Sequence, residues 1–474
     1  MKIRLIEPEP PGMHVWAKVL LPRLGLPIIA ATLKEQGHDV LVYNPTMAPI
    51  DWDDVNTSDL VGLSSTTSTA TTAYQFAEDL HAKGIPVVIG GSHVTFMADE
   101  ALEHVDYVAR GEGGEQLMLE LIDALGGRRE LDTIAGLSFK RDGLAVHNAP
   151  REALADLDEL PFPDLRLLVG SDRINTVPIM TSWGCPFDCT FCSVTAMFGK
   201  KYRFRSAESV VAELKDKRPE RIFFYDDNMA ANRKRLKKLL RMMIDEDLVI
   251  PWSAQVRTDV VRDPELLDLM QRSGCNLVYL GLESVNQETL DKFEKAQTVA
   301  DIEKAIKILH DYGIKSHGMF VLGADSDDVQ TVRDTVGFAI KNKIDTVMLN
   351  ILTPLPGTQQ FQEFDETGRI FDKRWELYDA HHVVFEPARM TPYELQIEVL
   401  RGYMRFYSVR TWLGYIFRLQ FTKQLLFHWW GMAIIRNWRR DERNKAFIAS
   451  LKQMWPRPTP RGKARGPVGR AGAD

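Results

Sequence analysis

Three cysteines, Cys185, Cys189 and Cys192, form a C-x3-C-x2-C run within eight residues of a 474-residue chain that holds four cysteines in all. Three thiolates on one tight loop are ligands for iron or zinc. A closed structural zinc site needs a fourth protein ligand, and the neighbouring sequence offers none. The remaining cysteine, Cys275, precedes an apolar run, where most cysteines are packed core residues. A 4Fe-4S cluster held by three cysteines leaves one iron without a protein ligand, and an open iron can chelate a small molecule. Four cysteines are too few for a disulfide-built secreted module, so the expected setting is the reducing cytoplasm.

The cysteines follow the first of six strand-like runs in residues 176–354: TVPIMTS, RIFFYDD, PWSAQVR, NLVYLGLES, KSHGMFVLG and TVMLNILTP. Each of the first five leads into an amphipathic helical pattern, as at residues 209–217 and 302–310. Six β/α units in succession predict a partial parallel barrel over residues 171–390, with its site at the carboxyl ends of the strands. That rule selects Asp226, Asp227 and Asn228 after the second strand, Arg257 after the third, Glu283 and Ser284 after the fourth, and residues 353–358 after the sixth. Two plainer readings stand beside it. The Asp-Asp-Asn run can cap a helix that begins near Asn232, and Arg257 and Glu283 can form a buried ion pair.

Residues 1–125 alternate strand runs (KIRLIEP, DVLVYNP, DLVGLSS, IPVVIGGS, YVARGEG) with helical stretches such as 26–36 and 73–83. Five such units predict an α/β, doubly wound, Rossmann-like domain whose ligands lie at the strand ends. Those ends carry Ser64, Ser65 and Thr66, then Gly90, Gly91 and Ser92, then Gly111 and Glu112. Glycines allow close backbone approach and hydroxyls give neutral hydrogen bonds, although Gly-Gly after a strand also makes an ordinary tight turn. No GxGxxG or GxxxxGK[ST] phosphate cradle is present. Polar, Gly-containing residues 126–170, with the run Leu160-Pro161-Phe162-Pro163-Asp164, read as a linker.

The net charge of −6 conceals an asymmetry: residues 401–474 hold 16 Lys/Arg against 3 Asp/Glu, so the rest of the chain is acidic. An acidic body argues against a nucleic-acid partner. The start, MKIRLIEP, lacks the apolar core of a signal peptide, and the longest uncharged apolar run is twelve residues, 424–435, short of the roughly 20 that cross a bilayer. Residues 391–455 read as a helical, basic, aromatic region and 456–474 as a disordered tail. Residues 401–455 contain 13 aromatic side chains, 5 of them tryptophan, followed closely by Arg436, Arg439, Arg440 and Arg443. Such a mixture suits peripheral contact with the inner face of a membrane, or helices that pack on the barrel and close its open side. His381 and His382 face either a substrate channel or a polar strand edge.

CPFDCTFC after a strand resembles the signature of the radical S-adenosylmethionine (SAM) superfamily. The resemblance implies a 4Fe-4S cluster on Cys185, Cys189 and Cys192, whose open iron binds the amino and carboxylate groups of SAM. Reductive cleavage then gives methionine and a 5′-deoxyadenosyl radical. It further implies that Phe191 touches adenine and that Asp226 and Asp227 meet the methionine amino group. Gly281-Leu282-Glu283-Ser284 is similar to the family's fourth-strand motif, which favours Glu283 over Arg257 as a cofactor contact. A doubly wound domain ahead of such a barrel resembles the cobalamin-binding subclass, and together the resemblance spans residues 1–395. The DxHxxG loop that supplies a histidine to cobalt in some cobalamin proteins is absent. His14 lies in PPGMHVW and His93 follows the fourth strand, so no cobalt ligand is assigned. The implied function is hydrogen abstraction from an unactivated carbon and cobalamin-dependent methylation of a hydrophobic, lipid- or isoprenoid-like small molecule, with electrons from a flavodoxin or ferredoxin. Radical cyclisation, carbon-carbon coupling or ring rearrangement is the alternative, and an iron-sulfur electron-transfer or sensing protein is the alternative of another class.

Overall fold

The computed structural model describes residues 1–12, 20–413 and 421–456, so His14 and residues 457–474 of the expected tail lie outside the described residues. Strands β1 (Lys2–Ile6), β2 (Asp39–Tyr43), β3 (Leu60–Ser64), β4 (Val87–Gly90) and β5 (Tyr107–Ala109) form a parallel sheet in the order β2-β1-β3-β4-β5. Alternate residues of β1 serve the two faces: Ile3 and Leu5 enter one apolar cluster with helices Gly25–Glu35 and Gly114–Leu125, and Ile6 enters another with helix Ala70–His81. The strand order reverses between β1 and β3, the point at which such sheets leave a crevice for a ligand.

The linker reading of residues 126–170 is corrected. β6 (Leu137–Arg141) and β7 (Leu144–His147) form a hairpin that extends the sheet antiparallel from β5. Asp142 and Gly143 make its two-residue turn, both at positive φ, the geometry that matches strand twist. Leu137 and Phe139 are buried in the sheet's core while Lys140 and Arg141 are exposed. The chain then crosses back to the opposite edge, where Leu168 bridges to Val42 of β2.

The second unit contains β8 (Val177–Ile179), a ribbon of β9 (Ser182–Trp183) with β10 (Arg203–Phe204), then β11 (Ile222–Phe224), β12 (Trp252–Val256), β13 (Cys275–Glu283), β14 (Lys315–Leu322) and β15 (Thr346–Ile351). β8 and β11 to β15 pair in parallel in chain order, giving a six-stranded sheet whose end strands β8 and β15 do not pair. This is the expected partial barrel. Its helices start on side-chain caps: Ser206, Asn232, Asp263, Thr298 and Asp328 each accept a backbone N–H of the first turn. Asn232, not the Asp-Asp-Asn run, caps the helix after β11. Cys275 is buried in the barrel core, as expected of a packing residue.

Helices Pro392–Phe406, Phe421–Arg440 and Glu442–Met454 cover the β15 side. Phe406, Ile435, Phe447 and Leu451 join the barrel's apolar core. Gly402 lets the first of these helices lie close, since a Cβ there would sit 2.9 Å from Val336 Cγ2. The hydroxyls of Tyr403 and Tyr407 accept the backbone N–H groups of Leu349 and Val347 at 2.8 and 3.0 Å, and Ile351 N–H donates to the Ala380 carbonyl at 2.8 Å. His381 and His382 are buried beneath this cover: His382 lies between Asp379 (2.9 Å) and Asn444 Oδ1 (3.0 Å), at the wall of a cavity bounded by Thr71, Arg374 and Arg443. Among the described residues no helix is long and apolar enough to cross a membrane.

Candidate active site

The β9–β10 ribbon clamps both ends of the segment that carries the three cysteines and the short helix Ser193–Phe198. Gly184 makes the turn out of β9 at φ +80°. A Cβ there would stand 2.2 Å from the Lys201 carbonyl oxygen, so the clamp requires glycine. Inside the loop, Cys192 N–H donates to the Cys189 carbonyl at 3.0 Å, and Thr195 Oγ1 donates to the Phe187 carbonyl at 3.2 Å. Burial raises the pKa of all three thiols, that of Cys192 to about 11, a penalty that metal coordination overrides by removing the proton. Among the described residues no group of three His, Cys, Asp or Glu converges on a single metal-ion position. A four-iron cube takes its thiolates at separate corners, so this donor set fits a cluster and not a lone ion.

The three cysteines line a cavity of about 170 Å³ with Phe191, Asp227, Asn228, Arg257, Glu283 and Lys295 among its walls. Adjacent carboxylates divide here. Asp226 is buried and turned away: it accepts the N–H groups of Thr181 (2.7 Å) and Ser182 (2.9 Å) and the Thr181 hydroxyl, which fastens the end of β8 to β11. Its expected contact with a cofactor is therefore corrected to a structural one. Asp227 faces the cavity, accepts the Gly184 N–H (3.2 Å), and is pushed up to about 6 by burial and by its neighbour's charge.

Glu283 and Arg257 do not pair with each other. β13 bulges between Gly281 and Glu283, Glu283 adopts φ +59°, and its carboxylate meets Lys295 Nζ at 2.5 Å with both groups buried. Gly281 leaves the room: a Cβ there would stand 2.6 Å from Glu283 Oε1 and 2.9 Å from Lys295 Nζ. Gln297 holds the bulge by donating to the Leu282 carbonyl at 3.0 Å. Arg257 donates to the Lys295 carbonyl, and its guanidinium lies 3.8 Å from the centre of the Phe187 ring, over the cysteine loop. Phe191 is half-buried on the cavity wall and packs on Phe293, 4.7 Å between ring centres. Residues 353–358 are not on the cavity wall; the helix Gln359–Glu366 that follows them approaches the cysteine loop, with Gln360 N–H reaching the Thr190 carbonyl at 3.4 Å.

A second cavity, of about 330 Å³, opens at the carboxyl edge of the amino-terminal sheet against Ser64, Gly90, Gly91, Gly111 and Glu112. Ser65, Thr66 and Ser92 are not on its walls. Ser65 is fully buried and ties the β3 loop to Gly90, Thr66 forms a capping box with Thr69, and Ser92 begins a short helix. Gly91 (φ +117°) passes so close to this loop that a Cβ would lie 2.2 Å from the Ser65 carbonyl oxygen. Glu112 grips Arg203 of the ribbon with both oxygens, at 2.7 and 2.6 Å. Trp183, Met197 and Phe198 line this second cavity, so residues 183–198 wall both cavities, one on each side.

Lys295, Gln297, Arg203 and the inward row Gln255, Tyr279 and His317, paired across β12, β13 and β14, were not selected from sequence. None stands in a motif. Lys295 reaches the Glu283 carboxylate and Gln297 the Leu282 carbonyl from a loop 12 and 14 positions after Glu283, which spacing alone does not reveal.

The radical SAM superfamily model matches residues 179–339, and the B12-binding domain model matches residues 16–119. An uncharacterised methyltransferase of Pyrococcus horikoshii is 32% identical over 406 residues, 81% of this chain and 88% of the relative. The chain belongs to the radical SAM superfamily, in the subclass with a B12-binding domain. Bacteriochlorophyllide d C-8(2)-methyltransferase of Chlorobaculum tepidum is 29% identical over 85% of this chain and 88% of its own. The anaerobic magnesium-protoporphyrin IX monomethyl ester cyclase of Rubrivivax gelatinosus is 29% identical over 82% and 74%. Among solved structures, the cobalamin-dependent SAM radical enzyme OxsB has the same fold, with a TM-score of 0.70 at 15% identity over 96% of this chain and 75% of that one. As a radical SAM enzyme of this subclass, the protein uses a 4Fe-4S cluster, SAM and cobalamin, and draws on a reductant.

Proposed function

We propose that the protein methylates an unactivated carbon of a hydrophobic small molecule. The observation that supports this most is the wall shared by two unlike cavities, residues 183–198. When bound, the cluster with SAM supplies a carbon-centred radical and cobalamin supplies a methyl group. Asp227 receives the methionine ammonium, to which a carboxylate short of partners is suited. Glu283, fixed by Lys295, would offer its second oxygen to a SAM hydroxyl, and Phe191 would offer its ring to the adenine. Below them the lumen is lined by Phe223, Tyr279 and His317, whose rings contact in sequence at 5.5 and 4.8 Å. Burial lowers His317 to about 4, so this row is uncharged near neutrality and excludes water from a reactive carbon.

Anaerobic turnover with trideuteromethyl-labelled SAM and a lipid extract tests the reading. Expected are 5′-deoxyadenosine and S-adenosylhomocysteine in equal amounts and a product carrying one trideuteromethyl group. The similarity to a cyclase favours a second reading, cyclisation. In that case 5′-deoxyadenosine forms without S-adenosylhomocysteine, and the label stays out of the product. An intact cluster that yields neither nucleoside identifies an electron-transfer or sensing protein. The reading includes a peripheral seat on an anionic membrane surface through residues 401–455, which brings a hydrophobic substrate to the barrel.

A further inference from the structure

We infer that the groove between helices Pro392–Phe406 and Phe421–Arg440 is a seat for the phosphate and first acyl carbons of an anionic phospholipid. This rests on the peripheral-attachment reading and names its ligand. The groove encloses about 550 Å³ over a floor of Tyr403, Tyr407 and Ile435, with Arg436, Arg439 and Arg440 on its rim. The floor is rigid because both tyrosine hydroxyls are committed to the β15 backbone. A slot that exists before its ligand arrives loses little order on binding.

The rim is charged and lacks countercharge. Among the described residues no carboxylate pairs with any of the three arginines, and Arg439 instead donates to Met404 Sδ at 2.8 Å. On the same helix as Met404, Arg401 does find a carboxylate, Glu398, which Arg333 shares. Arginines in the last turn of a helix gain from its dipole, but that gain does not call for an apolar slot beside them. Val409, on the groove's edge, is 56% exposed, and Trp429 and Trp430, two turns before the arginines, are 61% and 46% exposed. Apolar groups left in water next to unpaired cations complement one kind of ligand, an anion with a hydrocarbon tail. A free phosphate ion would leave the floor bare, and a nucleic acid would leave it unfilled.

Calorimetry on the reconstituted full-length protein uses dihexanoyl-phosphatidylglycerol below its micelle concentration, with dihexanoyl-phosphatidylcholine and inorganic phosphate as controls. Phosphatidylglycerol should bind and the controls should not compete. The triple substitution Arg436→Gln, Arg439→Gln, Arg440→Gln should weaken binding by about a hundredfold, at roughly 1 kcal/mol for each of the three cations lost. Val409→Asp, on an exposed residue, should weaken it without touching the core. Both variants should keep the cluster spectrum and 5′-deoxyadenosine formation of the parent. Equal binding of the two lipids, unchanged binding in both variants, or displacement by inorganic phosphate overturns the inference, as does tighter binding of an oligonucleotide that the same variants abolish. Sedimentation with phosphatidylglycerol vesicles separates the inference from the reading beneath it. If the monomeric lipid binds but vesicles do not, attachment fails and the seat stands. If parent and triple variant sediment alike, attachment stands and the seat fails.

Discussion

The two cavities on either side of residues 183–198 are made of opposite materials. Around the cysteines the walls hold charge: Asp227, Glu283, Lys295 and Arg257, with Glu283 forced into a left-handed conformation by a bulge. At the sheet end the walls are mostly apolar or glycine, and of the charged groups among them Glu112 is spent on Arg203 across the junction and Arg23 on Glu7. A ligand with a fixed zwitterionic end needs fixed countercharges, and strain is tolerated to aim them. A broad, flat ligand needs side chains removed, as at Gly111 on the cavity wall, where a Cβ would meet only open space.

The sharpest break in that comparison is at the thiols. Cys185→Ala, Cys189→Ala and Cys192→Ala should each abolish the cluster's visible absorbance and 5′-deoxyadenosine formation while corrinoid binding remains, whereas Cys275→Ala should keep both activities. Wild-type iron content in any of the three would refute the ligand set. The reverse break is Gly91→Val. Strain at φ +117° and a contact of 2.2 Å with Ser65 should lower cobalamin affinity by about tenfold or more, read by corrinoid titration, with the cluster spectrum unchanged.

A finer division lies between neighbours. Asp227→Asn should raise the KM for SAM about tenfold with little change in Tm, the value of one charge-assisted hydrogen bond. Asp226→Asn should do the opposite, lowering stability by about 1–3 kcal/mol because buried donors at Thr181 and Ser182 lose their charged acceptor. If both variants change KM alone, the division is wrong.

The smallest effect concerns the neutral lumen. Because the folded state depresses His317 to about 4 from an unfolded value near 6.5, the unfolded chain binds the extra proton between those values. Its contribution is complete above pH 6.5 and is lost as pH falls toward 4, about 2 kcal/mol by pH 5. Asp327, raised to about 6 by burial, works the other way over part of this range. Thermal unfolding of His317→Asn should therefore show a smaller drop in Tm from pH 7 to pH 5 than the parent, and an identical drop would remove His317 from the account.

What the sequence disclosed follows from how each feature is encoded. The cysteine loop, the six barrel strands and the five parallel strands were legible because each is a contiguous pattern. Asp226 and Asp227 were not separable, since the turn after β11 decides which of two adjacent carboxylates looks inward. Lys295 was hidden because a bulge and a loop bring it to Glu283. The β6–β7 hairpin was missed because its turn, Asp142-Gly143, lies among polar residues that also suit a linker, although Leu137 and Phe139 already alternate with polar neighbours. Between the two readings of residues 391–455, the helices do pack on the barrel, while Arg436, Arg439 and Arg440 remain on the surface.

The tyrosine hydroxyls set along β15 also decide how the chain behaves when it is cut. An open barrel ends in a strand with bare amides, a ready template for a neighbour's strand. Here the amides of Val347, Leu349 and Ile351 are each occupied, by Tyr407, Tyr403 and the Ala380 carbonyl. A chain ending near Met390 keeps only the last of these and bares a row of β-branched and leucine residues. Such a fragment should self-associate through that edge and pellet without any vesicle present, so a shortened chain reports aggregation, not membrane affinity, and removing the helices leaves a seed for stacked strands.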